Sequence, residues 1–188
     1  MLKLNFEKAY DKVNWNFLLE CHRMRGFNDK WCGWIKNILN NGTVSIKLNN
    51  ETGPYFVSRK GVRQGDPHSP FLFNLAVNGL AAIMDAARRA GHLRGVAPNL
   101  IAGGGVTHLQ YVNDTILIVE GTSMDIINLK FLLMCFQEMS GLRINFLKSE
   151  VLVLGAVPDE ARRVADLLNC SLGAFPFKYL GLPISPDV

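Results

Sequence analysis

The segment QYVNDTILIVEG, residues 110–121, constrains the fold more than any other stretch of the chain. It predicts two strands joined by a tight polar turn at Asn113-Asp114, because Asn and Asp both tolerate turn geometry. The flanking runs LQYV and TILIV are strongly apolar, which is typical of strands in a central sheet. We therefore expect a hairpin within a sheet, with its polar tip beside the end of the neighbouring strand.

The first seven residues, MLKLNFE, also alternate between apolar and polar side chains. This alternation predicts a strand with Leu2, Leu4 and Phe6 on the core side and Asn5 on the opposite side. Asn5 and the Asn113-Asp114 tip are the two polar features that the predicted sheet carries. Their simplest interpretation is a solvated strand end and an ordinary turn.

Apolar residues at helical and strand spacing predict the remaining elements. Helices are expected over 13–26, 29–42, 69–90, 123–141 and 158–169, and further strands over 43–50, 54–59, 150–155 and 178–184. Asp29, Ser69 and Ser123 are the predicted N-caps, with Pro70 at the first helical position. Mixed elements with frequent hairpins predict an α+β fold in which helices back an antiparallel sheet.

Composition excludes disorder and leaves the partner open. The chain has 188 residues, of which 48% are hydrophobic and 19% are charged, enough for one domain with a hydrophobic core. The net charge of +4 suits a nucleic-acid partner without requiring one. The four cysteines form no CxxC pair and are expected to be reduced, buried thiols of an intracellular protein.

No part of the sequence predicts membrane insertion or secretion. The N-terminus has no signal-peptide pattern. The longest apolar stretch, Phe71 to Met84, is interrupted by Asn74, Asn78 and Gly79. It is too short to span a bilayer and is expected to be a core helix.

The loop GVRQGDPHSP, residues 61–70, carries the strongest local signal of binding. Glycines and prolines fix its backbone, while Arg63, Gln64 and Asp66 project just before a predicted helix N-terminus, which attracts anions. Gly65 would let a base or sugar approach the backbone closely. Lys148, in GLRINFLKSE, carries almost no signal alone and is equally typical of a solvated lysine.

Five motifs, in order, resemble the reverse transcriptase of LINE-type (non-LTR) retrotransposons, especially those of plants. KLNFEKAYDKVNW is similar to motif A, GVRQGDPHSPFLFNL to motif B, YVNDT to motif C, GLRINFLKSEV to motif D and YLGLPI to motif E. The match runs from residue 1 to about residue 184. The resemblance implies a right-hand polymerase palm with part of the fingers.

The same resemblance implies a single partial reverse transcriptase domain over residues 1–188. The family's upstream fingers motifs and downstream thumb are not recognisable in the sequence. Strand patterns begin at the first residue and stop near the last, so both ends are expected to be cut from a larger protein.

In the family, motif A opens with a metal-binding aspartate and motif C has the form Tyr-x-Asp-Asp. These acidic positions correspond to Asn5, Asn113 and Asp114, so only Asp114 keeps a carboxylate. The family uses two Mg²⁺ ions, whose binding we expect to be weakened here. The catalytic positions implied by the resemblance are these three residues and Lys148, the counterpart of the proton donor to pyrophosphate.

Other family roles fall on matching residues. Tyr10 corresponds to the aromatic gate against the ribose 2′-hydroxyl, and Phe6 to a backbone carbonyl near the metals. Gln64 and Gly65 correspond to the loop against the template and the incoming nucleotide. The residues expected to contact nucleic acid are Arg63, Tyr179, Leu180 and Gly181. His68 departs from the family, which usually has leucine there.

The expected function is therefore that of a reverse transcriptase palm fragment, inactive because amides replace two metal-binding aspartates. Two alternatives stay open: a non-catalytic module that binds nucleic acid, and the product of a decayed retrotransposon copy with no role. Whether the chain is an enzyme is correspondingly open. The resemblance implies an RNA template and a DNA primer as partners, and nuclear residence.

Overall fold

The computed structural model describes residues 1–99, 105–112 and 114–185. Its helices are α1 (Ala9–Lys12), α2 (Trp15–Met24), α3 (Asp29–Asn40), α4 (Ser69–Arg89), α5 (Ser123–Ser140) and α6 (Pro158–Leu168), with a 3₁₀ turn at Phe146–Lys148. Its strands are β1 (Leu2–Leu4), β2 (Phe6–Glu7), β3 (Thr43–Val44), β4 (Lys47–Leu48), β5 (Glu51–Thr52), β6 (Phe56–Val57), β7 (His108–Tyr111), β8 (Asp114–Leu117), β9 (Arg143–Ile144), β10 (Glu150–Val151), β11 (Ser171–Leu172), β12 (Phe177–Tyr179) and β13 (Leu182–Ile184).

A five-stranded sheet in the order β11-β10-β1-β8-β7 forms the centre of the fold. All of its pairs are antiparallel except β10 with β11. The predicted α+β fold, an antiparallel sheet backed by helices, is confirmed. Of the hairpin's two strands only β8 lies inside the sheet, because β7 is its edge strand.

The main core lies between this sheet and helices α2, α4 and α5. Leu2 and Leu4 are buried there as predicted, and Phe6 packs partly against the same cluster. A smaller apolar cluster lies on the other face of the sheet, where Ile116 and Leu152 contact Phe177 of β12. The sheet is therefore covered on both faces, but unequally.

Each predicted N-cap lies one residue after the observed N-cap. The caps are Asn28, His68 and Thr122, so Asp29, Ser69 and Ser123 lie inside their helices. Asn28 accepts a hydrogen bond from the amide of Trp31 at 3.0 Å, and Thr122 one from Asp125 at 3.3 Å. Both positions offer two adjacent cap-forming residues, and the sequence alone does not choose between them. His68 makes no side-chain cap bond, and Ser69 is buried.

Residues 43–57 form an exposed β-ribbon, hereafter the ribbon. β3 pairs with β6 and β4 pairs with β5, so the predicted hairpin is confirmed. Its turn is tighter than the predicted 49–53, because Asn49 and Asn50 both adopt positive φ, 48° and 65°, as a two-residue turn requires.

The final predicted strand over 178–184 is instead a hairpin of β12 and β13. Leu180 and Gly181 form its turn at φ of 51° and 83°. Gly181 is the turn signal in YLGLPI, while Leu180 adopts a left-handed conformation that bulky residues rarely take. The predicted 150–155 strand is also shorter, since β10 spans only Glu150–Val151.

Helix α4 has 21 residues, and an 18-residue window of it has a mean hydropathy of 1.3, so it is long and apolar enough to cross a membrane by length and composition alone, a test that a core helix also passes. It packs against α2 and α5, as a core helix does. Of the cysteines, Cys21 and Cys32 are buried, whereas Cys135 and Cys170 are only partly so. Burial raises the pKa of the Cys170 thiol to about 11.

Candidate active site

The central pair of strands places two of the predicted catalytic residues side by side. β1 and β8 are antiparallel, with Lys3 opposite Ile116 and Leu4 opposite Thr115. The same register, continued by one residue, sets Asn5 opposite Asp114. Both side chains are exposed at one end of the sheet. Positions 5 and 114, far apart in sequence, therefore meet at this edge.

The hairpin turn differs by one residue from the predicted one. Tyr111 pairs with Asp114, so Asp114 is the first residue of β8 and no part of the turn. Val112 enters the turn with φ of 54°. Tyr111 is directly opposite Asp114 and 61% exposed, and we did not predict it as a site residue. Asn113 lies outside the described residues.

The backbone of Asn5 is held on both sides by the turn at 145–149. Its amide donates to the Ser149 hydroxyl at 3.0 Å, and its carbonyl accepts from the Asn145 amide at 2.7 Å. Ser149 is fully buried and donates in turn to the Asn145 carbonyl at 2.8 Å. Sequence reasoning missed both residues, because neither apolar spacing nor a charge marks them. They fix the position of the Asn5 backbone.

Lys148 belongs to that same turn and is exposed at the end of the 3₁₀ helix. Its positive charge helps to lower the pKa of Glu7, although the larger causes are the hydrogen bond and charge of Lys12. The Lys12 ammonium and the Glu7 carboxylate are 2.8 Å apart. Lys148 thus lies on the side of the sheet edge where β2 follows Asn5. Glu7, being paired, is no substitute for a missing metal-binding carboxylate.

The β12–β13 hairpin approaches the same edge from the other side. The Tyr179 hydroxyl is 3.5 Å from the carbonyl of Asp114, to which it donates. Partial burial raises the pKa of Tyr179, and the negative charge of Asp114 raises it further. The Lys3 ammonium donates to the carbonyl of Lys178 at 3.3 Å. The structure therefore brings Tyr179 to the Asn5–Asp114 edge, with Leu180 and Gly181 in the turn just beyond.

Tyr10 and Phe6 are both positioned by aromatic packing. The Tyr10 ring stacks on Phe73 of α4, with centroids 4.6 Å apart and planes at 14°. Phe6 meets Phe136 of α5 edge to face, at 6.4 Å and 63°. Such contacts stabilise a ring in one orientation. Tyr10 is thus held at the base of the site, on the short helix that follows Asn5.

The 61–65 loop is joined to that short helix by backbone hydrogen bonds. The amides of Gly61 and Val62 donate to the carbonyls of Val13 and Tyr10, at 2.8 and 2.6 Å. The Gln64 amide group donates to the Asp11 carboxylate at 3.4 Å. Gly65 has φ of 89° and open space where a side chain would be, which leaves room for a ligand.

A cleft of about 900 Å³ adjoins this loop and the ribbon. Its lining includes Arg59, Lys60 and Arg63, together with the acidic Asp11 and Asp66. Arg63 and Gln64 are exposed to it. Cationic side chains in a concave surface favour contact with phosphates.

The predicted site residues therefore form two groups. Asn5, Asp114, Tyr179 and the Lys148 turn meet at the sheet edge, whereas Tyr10, Gln64, Gly65 and Arg63 surround the 61–65 loop. Residues 5–11 connect the two.

The donor set at the sheet edge does not fit a pair of divalent cations. Among residues 1–99, 105–112 and 114–185, no cluster of three or more His, Cys, Asp or Glu side chains could hold a metal ion. Asp114 supplies a carboxylate and Asn5 a neutral amide at the paired positions. Magnesium is bound in proteins chiefly through carboxylates, and an amide brings no charge to offset that of the ion.

The sequence matches one protein family over almost its whole length. Residues 1–184 match the family described as reverse transcriptase (RNA-dependent DNA polymerase). The match spans both groups of site residues and all the elements that position them.

Individual relatives are Pol proteins of non-LTR retrotransposons. The chain is 27% identical to the transposon TX1 uncharacterized 149 kDa protein of Xenopus laevis, over 99% of this chain and 14% of that protein. It is 23% identical to the Pol polyprotein of the type-2 retrotransposable element R2DM of Drosophila melanogaster, over 95% of this chain and 17% of that protein. A Pol polyprotein of the R2 element of Popillia japonica is 31% identical over 43% of this chain. The chain thus spans less than a fifth of the length of these curated relatives.

Proposed function

This chain belongs to the reverse transcriptase family, and on that premise we propose that it is a polymerase palm with part of the fingers that has lost nucleotidyl transfer. It is a reverse transcriptase domain of the non-LTR retrotransposon type. We take residues 1–188 as one partial domain. The resemblance to plant elements and nuclear residence stay predictions.

The observation that carries the proposal is the β1–β8 register, which pairs Leu4 with Thr115 and, continued by one residue, would set Asn5 opposite Asp114. Two carboxylates at this edge and a third at position 113 would be the metal ligands of an active relative. Two doubly charged ions ~4 Å apart repel by about 16 kcal/mol at an effective dielectric near 20. Carboxylates offset that repulsion, and amides at positions 5 and 113 do not.

Loss of these charges removes catalytic power. A single lost electrostatic contact in an enzyme site typically costs about 10²–10³ in rate. With Asn at two of three positions, polymerisation falls to near background. No catalytic step is therefore assigned to Lys148, although it would still lie near the leaving group of a bound nucleotide.

The residues for holding a nucleotide and a nucleic acid remain. Tyr10 is fixed by Phe73, and Gly65 faces open space beside Gln64. In the proposal Tyr10 and the 61–65 loop contact a nucleotide, with the carbonyl of Phe6 nearby, while Arg63 and the Tyr179–Gly181 turn contact an RNA template and a DNA primer.

A second function, binding of nucleic acid without catalysis, is favoured by the cleft beside the ribbon. Arg59, Lys60 and Arg63 line it. Neutralisation of phosphates by such side chains releases counterions, so affinity should fall steeply with salt. Arg59→Ala, Lys60→Ala and Arg63→Ala together should reduce that salt dependence, whereas Arg162→Ala, Arg163→Ala on the exposed side of α6 should leave it unchanged.

The decisive experiment restores Asn5→Asp and Asn113→Asp and measures primer extension on an RNA template with Mg²⁺ or Mn²⁺. Both forms of residues 1–188 are grafted into a longer, active relative. A control, Asn49→Asp, Asn50→Asp in the ribbon turn, adds the same two charges away from the site.

We expect extension only from the restored form, accompanied by tighter Mn²⁺ binding measured directly on the 188-residue chain. Extension by the chain as written would disprove the proposal. Equal gains from the ribbon control would show that bulk charge, not position, limits the reaction.

A further inference from the structure

A second cavity lies between the start of α2 and the end of α5. Its volume is about 500 Å³, within the range of roughly 300–1,000 Å³ that is common for small-ligand sites. This cavity is hereafter the α2–α5 pocket, and its lining includes Lys12, Asn14, Arg59, Lys60, Gln137 and Arg143. None of the described residues of the candidate active site lines it.

The charged side chains of the α2–α5 pocket are mostly positive. They come from separate segments: Lys12 from α1, Arg59 and Lys60 from the chain after the ribbon, and Arg143 from β9. Glu138 is the carboxylate in the lining, and it pairs with Arg143 at 2.8 Å. Arg59 and Lys60 form no ion pair with any residue that the structure describes. An anion would therefore meet two unpaired cations and two others whose surface ion pairs are weak.

The helix ends at this pocket do not set the sign of its charge. The N-terminus of α2 meets the C-terminus of α5 here, where the Asn14 amide donates to the Ser140 carbonyl at 2.7 Å. The positive end of one helix dipole and the negative end of the other offset each other. The positive potential of the pocket therefore comes from its side chains.

Gln137 adds a buried hydrogen-bond donor to the wall of the pocket. The residue is only 8% exposed, and its Oε1 accepts from the Ile144 amide at 2.8 Å. Because a backbone N–H can only donate, the side-chain oxygen must face Ile144, and the other branch is the NH₂ group. That group has no hydrogen-bond partner among residues 1–99, 105–112 and 114–185. A buried donor without a partner favours a ligand that accepts hydrogen bonds.

The backbone that carries Arg59 and Lys60 is held beside the pocket. The Trp15 indole N–H donates to the Gly61 carbonyl at 2.7 Å, and the Gly61 amide donates to the Val13 carbonyl at 2.8 Å. A segment that is already fixed loses little conformational freedom when a ligand binds. The two unpaired cations are thus preorganised.

A ligand that fits this lining is anionic and accepts several hydrogen bonds at once. A phosphate group has both properties, and it forms strong charge-assisted hydrogen bonds with arginine and lysine. We propose that the α2–α5 pocket binds a phosphate group, which the Gln137 NH₂ group and the neighbouring cations hold. The site is additional to the proposed function and does not depend on whether polymerisation is lost.

Two sources of phosphate fit this chemistry. Arg59 and Lys60 also line the cleft beside the ribbon, so a nucleic-acid strand in that cleft would bring its backbone phosphates next to the pocket. The other source is a free phosphate ion. Both sources predict the same contacts at Gln137, and the experiment separates them.

The first test titrates the isotope-labelled 188-residue chain with inorganic phosphate, at an ionic strength kept constant with sodium chloride. Side-chain NH₂ signals are followed by NMR. The Gln137 signal should shift with a dissociation constant of about 1–10 mM. The signals of Gln64 and Gln110, which lie outside the pocket, should stay in place. A shift at Gln64 without one at Gln137 would assign the ion to the cleft and overturn the proposal.

Gln137→Glu keeps the acceptor for Ile144 and replaces the NH₂ group by a negatively charged oxygen. It should raise the dissociation constant for phosphate at least about tenfold, measured at the backbone amides of the lining. The matched control is Gln110→Glu on β7, which adds the same charge outside the pocket and should change the constant by less than about twofold. Circular dichroism checks that both variants are folded.

Arg143→Gln is a second variant, because it removes an exposed cation and leaves the buried Gln137 in place. It should also raise the dissociation constant, by about threefold or more. Equal affinities of the wild type, Gln137→Glu and Arg143→Gln would overturn the proposal. So would the absence of phosphate binding up to about 50 mM, which would leave the positive pocket to an acidic segment of a longer chain.

A single-stranded oligonucleotide without terminal phosphates distinguishes the two sources. If the phosphate belongs to a strand, Gln137→Glu should weaken binding of the oligonucleotide as well as of the free ion. If the pocket takes only a free ion, Gln137→Glu should weaken phosphate binding alone. Arg63→Ala, which changes the cleft but not the pocket, should leave the affinity for inorganic phosphate unchanged in both cases.

Discussion

Two regions of the molecule are rich in apolar residues but differ in burial. One is the central sheet with helices α4 and α5, and the other is the exposed ribbon. Leu133 and Phe136 of α5 are completely buried, whereas Ile46, Leu48 and Tyr55 of the ribbon are 68–71% exposed. Every residue of β3 to β6 is exposed. Apolar character alone therefore does not distinguish a core residue from a surface one.

The contrast indicates that stability and binding depend on different regions of this chain. Burial of apolar area stabilises the sheet and its helices. The ribbon contributes little to that core, and instead forms one wall of the cleft next to the 61–65 loop. Substitutions should accordingly affect stability in one region and binding in the other.

Phe136→Ala should cause the largest loss of stability. Phe136 contacts Phe6 and Phe17 edge to face, at 6.4 and 6.0 Å, and its removal leaves a cavity. We expect the unfolding free energy, measured by urea denaturation followed by circular dichroism, to fall by about 3–5 kcal/mol. Leu48→Ser in the ribbon should change the same quantity by less than about 0.5 kcal/mol. Similar losses from both variants would abolish the distinction between the two regions.

Asp125→Asn should lower the unfolding free energy by about 2–3 kcal/mol, because the buried network loses its negative charge and one of its two acceptor oxygens becomes a donor. Asp125 accepts from the Arg94 amide and guanidinium, at 3.2 and 2.9 Å, and from the Thr122 hydroxyl. The matched control is Glu20→Gln, which removes an exposed carboxylate paired with Arg23 and should have little effect.

The ionisation of Asp125 should also make the unfolding free energy depend on pH. Burial raises the pKa of Asp125, but the hydrogen bonds from Thr122 and Arg94 and the charge of Arg94 outweigh burial, so the pKa lies below its ordinary 3.8. Its stabilisation is therefore complete above pH 3.8 and lost as pH falls through the lowered pKa of the folded state. The difference in unfolding free energy between the wild type and Asp125→Asn should shrink only in that acidic range. A difference that is already small at pH 6 would contradict this.

Gly61→Ala tests the junction between the ribbon and the core. Gly61 has φ of 79°, and a Cβ there would lie 2.6 Å from the Asp11 carbonyl. Gly65 has φ of 89° but no atom within 4 Å, so Gly65→Ala isolates the backbone strain. Gly61→Ala should lower the unfolding free energy by about 1–2 kcal/mol more than Gly65→Ala does. Equal losses would mean that the contact with α1 does not constrain the loop.

Asn5→Asp should have the smallest effect on stability. It places a second carboxylate opposite Asp114 at an exposed edge, where repulsion in water is below about 1 kcal/mol. The loss of unfolding free energy should disappear at ~1 M salt, because added ions screen exposed charges. Asn16→Asp on the exposed side of α2 serves as a control. A loss that persists at high salt would indicate a structural role for the Asn5 side chain.

Much of the fold could be predicted from local sequence patterns. The apolar runs beside Asn113 predicted β7 and β8, and helix spacing predicted α2 to α6 within a few residues. Alternation in MLKLNFE predicted one strand, which the structure divides at Asn5 into β1 and β2, because the two parts pair with different strands. Cap positions were wrong by one residue at Asn28-Asp29 and Thr122-Ser123, where two cap-forming residues are adjacent, and at Ser69, where His68 takes the cap position without a side-chain bond. The β12–β13 hairpin was predicted as one strand, because a turn with Leu180 at φ of 51° is unusual.

The candidate site was harder to predict, since its residues are distant in sequence. The family resemblance supplied positions 5, 113 and 114, but no local pattern marks Asn145 or Ser149, which hold the backbone of Asn5. Tyr111 was likewise missed, although its strand was predicted.

The sequence by itself determined the alternation of the strands, the helical faces and the replacement of two family aspartates by amides, because these depend on residue type and local spacing. Only the tertiary structure decided that the ends of β1 and β8 are neighbours, that Tyr179 reaches the Asp114 carbonyl, and that one apolar face of α5 is covered while the other is exposed. The hydrophobic effect has no direction, so a pattern predicts which residues favour burial but not which partner buries them. Strand register and helix packing make that choice.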